Sequence, residues 1–113
     1  MISFDIDGTM SFGDPPGVIT VAQVLDVQLR GAVIGSASDR TRADQAQLWA
    51  RHGVVVDFVG HKHRLDEIRT QFAATRWIHI GDSQVDEQYA RLHQFEFHYV
   101  DQLPAAGTPG WIW

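Results

Sequence analysis

Met1-Ile2-Ser3-Phe4-Asp5-Ile6-Asp7-Gly8-Thr9 opens the chain, and the fold is decided there. Met1 to Phe4 reads as a short buried strand, so Asp5 and Asp7 stand where that strand ends. In an open α/β sheet, ligands bind beyond the carboxyl ends of the strands. A second stretch repeats the pattern: Trp77-Ile78-His79-Ile80 is an apolar run, and Gly81-Asp82-Ser83-Gln84-Val85-Asp86 follows with two more carboxylates. Two strands delivering acids to one sheet edge predict a metal site and an active site.

Between these stretches, strands and helices alternate. Phe12 to Gly17 reads as a loop, since paired prolines with flanking glycines suit neither helix nor strand. Thr20 and Gln23 form a capping box, predicting a helix of about ten residues closed by Gly31. Ala32-Val33-Ile34-Gly35 is the expected second strand. Ser38-Asp39-Arg40-Thr41 opens the next helix, with Ala43, Ala46, Trp49 and Ala50 at helical spacing and Gly53 at its end. Val54 to Val59 is β-branched and predicts strand three. Leu65, Ile68, Phe72 and Ala73 mark a third helix, Trp77 to Ile80 strand four, Val85, Tyr89 and Leu92 a fourth helix, and Phe95 to Val100 strand five.

This alternation implies right-handed βαβ units and a mainly parallel sheet covered on both sides. The expected fold class is α/β, a three-layer Rossmann-like arrangement. Residues 1–103 are expected to form one domain and residues 104–113 an aromatic tail ending in Trp111-Ile112-Trp113. Two indoles there would make a sizeable apolar patch, expected to fold back or to cover a partner, with a neighbouring subunit of a homo-oligomer as the hypothesis.

Composition narrows the function. With 113 residues there is room for one core and no second domain. A net charge of −5 disfavours nucleic-acid backbones as the default partner. No cysteine is present, which excludes a disulfide, a thiolate nucleophile and a zinc–thiolate site. No segment approaches the ~20 apolar residues of a membrane span or looks like a secretion signal, so the expectation is a cytoplasmic protein with no membrane partner.

Asp5 and Asp7, two apart, would share a face in a regular strand, and Gly8 lets the chain turn away sharply. Asp5, Asp7, Asp82 and Asp86 gathered at one edge would repel one another. Two like charges at 4 Å cost roughly 4 kcal/mol at an effective dielectric of 20. A hard divalent cation with oxygen ligands relieves that repulsion, and Mg²⁺ is the best candidate. Ser36, directly after the expected second strand, could hold a phosphate oxygen together with the amides that follow it, with Ser38 as its rival. Lys62 precedes the third helix and could offer an ammonium to the same ligand, with Arg64 as its rival. Carboxylates, metal, hydroxyl and lysine together make a phosphoryl-transfer set. His61 and His63 lack further spaced ligands and read as surface or substrate-facing groups. His79, between Ile78 and Ile80, is expected in or beside the core.

The chain resembles the haloacid dehalogenase superfamily of phosphohydrolases. Four motifs match in order: Asp5-Ile6-Asp7-Gly8-Thr9, Ser36 after an apolar strand, Lys62, and Gly81-Asp82-Ser83-Gln84-Val85-Asp86. The resemblance implies a sheet in spatial order 5-4-1-2-3 and a phosphatase working through an aspartyl-phosphate on Asp5. It implies that Asp7 is the general acid and base. Asp5 and Asp82 would ligate Mg²⁺ through carboxylates and Asp7 through its carbonyl, with Asp86 bound directly or through water. Gly8, Thr9, Ser36, Ala37 and Lys62 would meet the phosphoryl group.

Most members of that superfamily carry a lid domain. Here Met10 to Gly31 and Ala37 to His61 hold about one crossover each, since a parallel crossover alone takes a dozen or more residues. The expected site is therefore capless and open, covered either by a large phosphorylated substrate or by a neighbouring subunit. A receiver-like signalling module that binds metal and phosphate is the alternative. The acid two residues beyond Asp5 favours hydrolysis over it.

Overall fold

The computed structural model describes residues 1–103. Five strands, β1 (Ile2–Phe4), β2 (Ile34–Ser38), β3 (Phe58–His61), β4 (Ile78–Gly81) and β5 (Glu96–Tyr99), form one sheet. All pairings are parallel and the spatial order is β3-β2-β1-β4-β5, the order expected. Four helices connect them: α1 (Val21–Leu29), α2 (Arg42–Arg51), α3 (Leu65–Gln71) and α4 (Gln84–Leu92). The arrangement is Rossmann-like.

Side chains alternate across a strand, so the sheet feeds two cores, one on each face. Ile2, Phe4, Ile34, Ile78 and Ile80 pack on one face with Val24 and Val27 of α1 and Trp49 of α2. Ala37 and Phe58 pack on the other with Leu65 and Ile68 of α3 and Ala90 of α4. Burial of this kind stabilises by about 1.5–3 kcal/mol for each fully enclosed Leu, Ile or Phe. The capping box that opens α1 is present: Gln23 N donates to Thr20 Oγ1 and Thr20 N donates to Gln23 Oε1.

Two strand boundaries differ from the sequence reading. β2 runs on to Ser38, because Gly35 to Ser38 continue the ladder with β3. These residues are small because neighbours press closely; a Cβ on Gly35 would collide with Phe58. β3 starts only at Phe58. Val54 is a core residue outside any strand, and Val55 is 82% exposed.

Two helices also turn a different face inward. α2 buries Gln45 and Trp49, while Ala43, Ala46 and Ala50 are exposed. α4 buries Asp86 and Ala90, leaving Val85 46% and Leu92 68% exposed. In both helices a polar side chain with buried partners outcompetes the apolar stripe.

From β1 the chain winds through β2 and β3 to one side, then returns to β4 and β5 on the other. The direction reverses between β1 and β4, which is where ligands bind in open α/β sheets. Asp5 and Asp82 emerge there. No described helix is long and apolar enough to cross a membrane. The aromatic tail of residues 104–113, with its expected role in assembly, lies outside the described residues.

Candidate functional site

A pocket of about 230 Å³ opens at the carboxyl edge of the sheet. Four strand ends build it. Asp5 and Asp7 follow β1, Ser38 and Asp39 close β2, Lys62 follows β3, and Asp82 and Ser83 follow β4. Pro15, from the loop after Asp7, completes the wall.

Asp5, Asp82 and Asp86 each present an oxygen, and these oxygens all lie within 4.8 Å of one another. Asp5 and Asp86 are buried and Asp82 is exposed. Gly8 makes the approach of Asp82 possible. Its φ is +76°, a region L side chains rarely adopt, and a Cβ there would strike the Asp82 carboxylate. Burial pushes the Asp5 carboxyl up to about 8, with the neighbouring Asp86 adding to the rise and Lys62 opposing it. A cation among these oxygens would reverse that rise, and a hard oxygen donor set without sulfur suits Mg²⁺ or Ca²⁺ chemistry.

Asp86 behaves differently although it is wholly buried. His79 Nε2 donates to its Oδ1 (2.9 Å) and Ser83 Oγ donates to its Oδ2 (2.7 Å). Burial raises its pKa, but these bonds and the charge of Lys62 outweigh that and take it down to about 2. Both oxygens are thus already engaged by protein. Of the three clustered carboxylates, Asp5 and Asp82 line the pocket.

Lys62 Nζ lies 3.3 Å from Asp86, 3.5 Å from Asp5 and 3.7 Å from Asp39. Burial alone would lower its pKa, but the three carboxylates raise it. It is therefore a charged ammonium set among acids. Asp7 lines the same pocket. Arg40 holds it through Nε (3.0 Å to Oδ2) and Nη2 (2.8 Å to Oδ1), and the Asp14 amide donates to Oδ1 (2.9 Å). The Arg40 hydrogen bonds keep the Asp7 carboxyl below the ordinary carboxylate range.

Five of the residues expected at the site meet around the pocket: Asp5, Asp7, Lys62 and Asp82 line it, and Asp86 stands behind. Ser36 does not reach it. Because β2 continues past it, Ser36 is fully buried on the α2 face, donating to Gln45 Oε1 (2.7 Å) and accepting from Trp49 Nε1 (2.9 Å). Ala37 faces the opposite core. Ser38 ends the strand and lines the pocket instead. The Gly8 amide donates to the Pro15 carbonyl (2.6 Å) and the Thr9 amide to the Ile6 carbonyl (3.1 Å), so both are spent within the loop. Arg40, Asp39 and the role of His79 were missed. Asp39 and Arg40 follow Ser38 directly, so extending β2 by three residues would have found them.

Neither the family models, the curated proteins nor the solved structures contain a match to this chain. Function has to be argued from the chemistry of the site itself.

Proposed function

We propose that this chain is a Mg²⁺-dependent phosphatase of the haloacid dehalogenase type. In this reading it hydrolyses phosphomonoesters through an aspartyl-phosphate on Asp5, at a site without a lid domain. The observation that carries it is Asp5 at the end of the central strand, 3.5 Å from the Lys62 ammonium and grouped with Asp82 at the sheet's switch point.

Asp5 attacks phosphorus. Its Oδ–P bond forms as the ester P–O bond breaks, and the leaving oxygen takes the electron pair and a proton from Asp7. Water then attacks the same phosphorus, the Oδ–P bond breaks, and Asp7 takes the water's proton. Arg40 holds Asp7 ionised at rest, which is the form the second step needs. Protonating the leaving oxygen needs the other form, so substrate entry has to loosen the Arg40 pair.

Lys62 and the Ser38 hydroxyl meet the phosphoryl oxygens, with Ser38 replacing Ser36. Ser38 Oγ already accepts from the Arg40 amide (3.1 Å), which leaves its own proton free to point at an anion. A divalent cation would be held by Asp5, Asp82 and the Asp7 carbonyl. When bound, it supplies positive charge against the phosphoryl oxygens and lets Asp5 stay ionised among its neighbours. A pocket of about 230 Å³ is smaller than the usual small-molecule site of about 300–1,000 Å³, so a bulky substrate extends beyond it.

The test is phosphate release from a broad panel of phosphate esters, with Mg²⁺ and with chelator. Mg²⁺-dependent release that disappears in Asp5→Asn is the expected result. Incubation with acetyl phosphate separates the alternative. A persistent phosphoprotein without turnover would replace this reading with the signalling module.

A further inference from the structure

His79 is a buried titratable group for which the chemistry above has no use. It lies in the middle of β4, fully buried, with Ile78 and Ile80 beside it in sequence. A buried polar atom without a partner costs about 1–3 kcal/mol. His79 has none: Nδ1 is 3.0 Å from Ser3 Oγ and Nε2 is 2.9 Å from Asp86 Oδ1. Ser3 and His79 are direct partners across β1 and β4, so the sheet register sets the first contact. The Asp86 carboxylate can only accept, so Nε2 carries a hydrogen whether the ring is neutral or charged.

From Asp86 the connection continues toward the pocket. Asp86 is held on Oδ2 by Ser83 and stands 3.3 Å from Lys62 Nζ. A lysine ammonium is a point charge on a flexible stem with three rotatable donors, and by itself has no preferred aim. Lys62 is the only lysine in the chain and is 6% exposed. Of the acids around it, Asp39 is largely exposed, while Asp86 is anchored on both oxygens. Apolar side chains of similar volume stabilise such a site as well as a buried ionic group does. Stability alone therefore does not account for a histidine here.

We propose that His79 is a positioning residue: backed by Ser3, it fixes Asp86 and thereby aims the Lys62 ammonium at Asp5. Its consequence for turnover rests on the phosphatase reading, but the positioning of Lys62 does not.

The single lysine makes the test clean. Modification of Lys62 by trinitrobenzenesulfonate, located by peptide mass spectrometry, reports its enclosure, and ¹⁵N-lysine labelling reports its ammonium resonance. His79→Leu is expected to speed modification and to shift or broaden that resonance. His79→Gln, whose amide can still donate to Asp86, restores both. With Mg²⁺ and p-nitrophenyl phosphate, kcat falls on the order of 10–100-fold in His79→Leu and returns to within roughly 3-fold in His79→Gln.

Wild-type Lys62 reactivity in a folded His79→Leu overturns the proposal, as does equal perturbation in both variants. If His79→Leu does not fold, His79→Gln decides: slow modification supports the positioning and fast modification overturns it. Should the wild type release no phosphate while Lys62 follows the expected pattern, the phosphatase reading fails and the positioning stands.

Discussion

Ser3 and Ser36 sit in adjacent strands of one sheet, both fully buried, and each anchors a set of polar side chains on its own face. The Ser36 set is neutral and closed. Its hydroxyl joins Gln45 and Trp49, and Gln45 Nε2 donates to the carbonyls of Arg40 (2.8 Å) and Gly60 (2.9 Å). Every member is spent on scaffold, which ties β2, β3 and α2 together. The Ser3 set leads through His79 to an ionised carboxylate and then to an ammonium in the pocket. Neutral buried networks that satisfy themselves specify a core. Networks that end on charges at a pocket wall carry a desolvation cost that function has to explain.

The sharpest way to break that contrast is Asp5→Asn. Phosphate release should fall by at least about 10³-fold, because the proposed nucleophile is gone. Stability of the metal-free protein should move the other way. Burial and the neighbouring Asp86 push the Asp5 carboxyl up to about 8, so folding at neutral pH has to protonate it, a cost that asparagine does not carry. A gain of about 1 kcal/mol would appear as a melting point roughly 4–8 °C higher in chelator. Ordinary turnover in this variant would remove Asp5 as nucleophile, and a lower melting point would show that its pairing with Lys62 outweighs that cost.

A smaller effect divides the two serines on β2. Ser38→Ala removes a hydroxyl from the pocket wall, and kcat/KM should drop about 10–100-fold, the worth of a hydrogen bond to a charged group. Its stability should fall by no more than about 1 kcal/mol, since the one bond lost within the protein is that from the Arg40 amide. Ser36→Ala should do the reverse. It leaves Gln45 Oε1 and the Trp49 indole without their partner and should cost about 1–3 kcal/mol of stability, with activity per folded molecule retained. The opposite pattern, measured by paired melts and kinetics, would return Ser36 to the site.

The same pair shows what could be read in the sequence. The convergence of Asp5, Asp82 and Asp86 was legible because DIDGT and GDSQVD each follow a strong apolar run, whereas the strand order was implied only by the family resemblance of those motifs. β2 was misjudged because Gly35 to Ser38 have no apolar bulk; their burial comes from being covered on both faces, a tertiary fact. The faces of α2 and α4 were misjudged for a related reason. Gln45 and Asp86 look like surface residues until partners 9 and 7 positions away, Ser36 and His79, are brought against them. At the site the conformational signal was Gly8, where a glycine after two acids marks a close approach.

The weakest expected effect comes from a pair that belongs to neither network. Arg76 and Glu96 bridge at 2.8 Å on the surface, with about half of each side chain exposed. Hydrogen bonds from Arg76, then from His98, hold the Glu96 carboxyl below the ordinary glutamate range. A carboxylate lowered on folding stabilises the protein above its unfolded pKa, and that contribution is lost as pH falls through the folded value. Glu96→Gln should therefore cost no more than about 1 kcal/mol at neutral pH, since exposed pairs are screened. The difference from wild type should shrink on acidification below about pH 4 and with added salt. A loss as large as that of Ser36→Ala would mean that exposure does not separate the surface pair from the buried sets, and the contrast between the two faces would lose its physical basis.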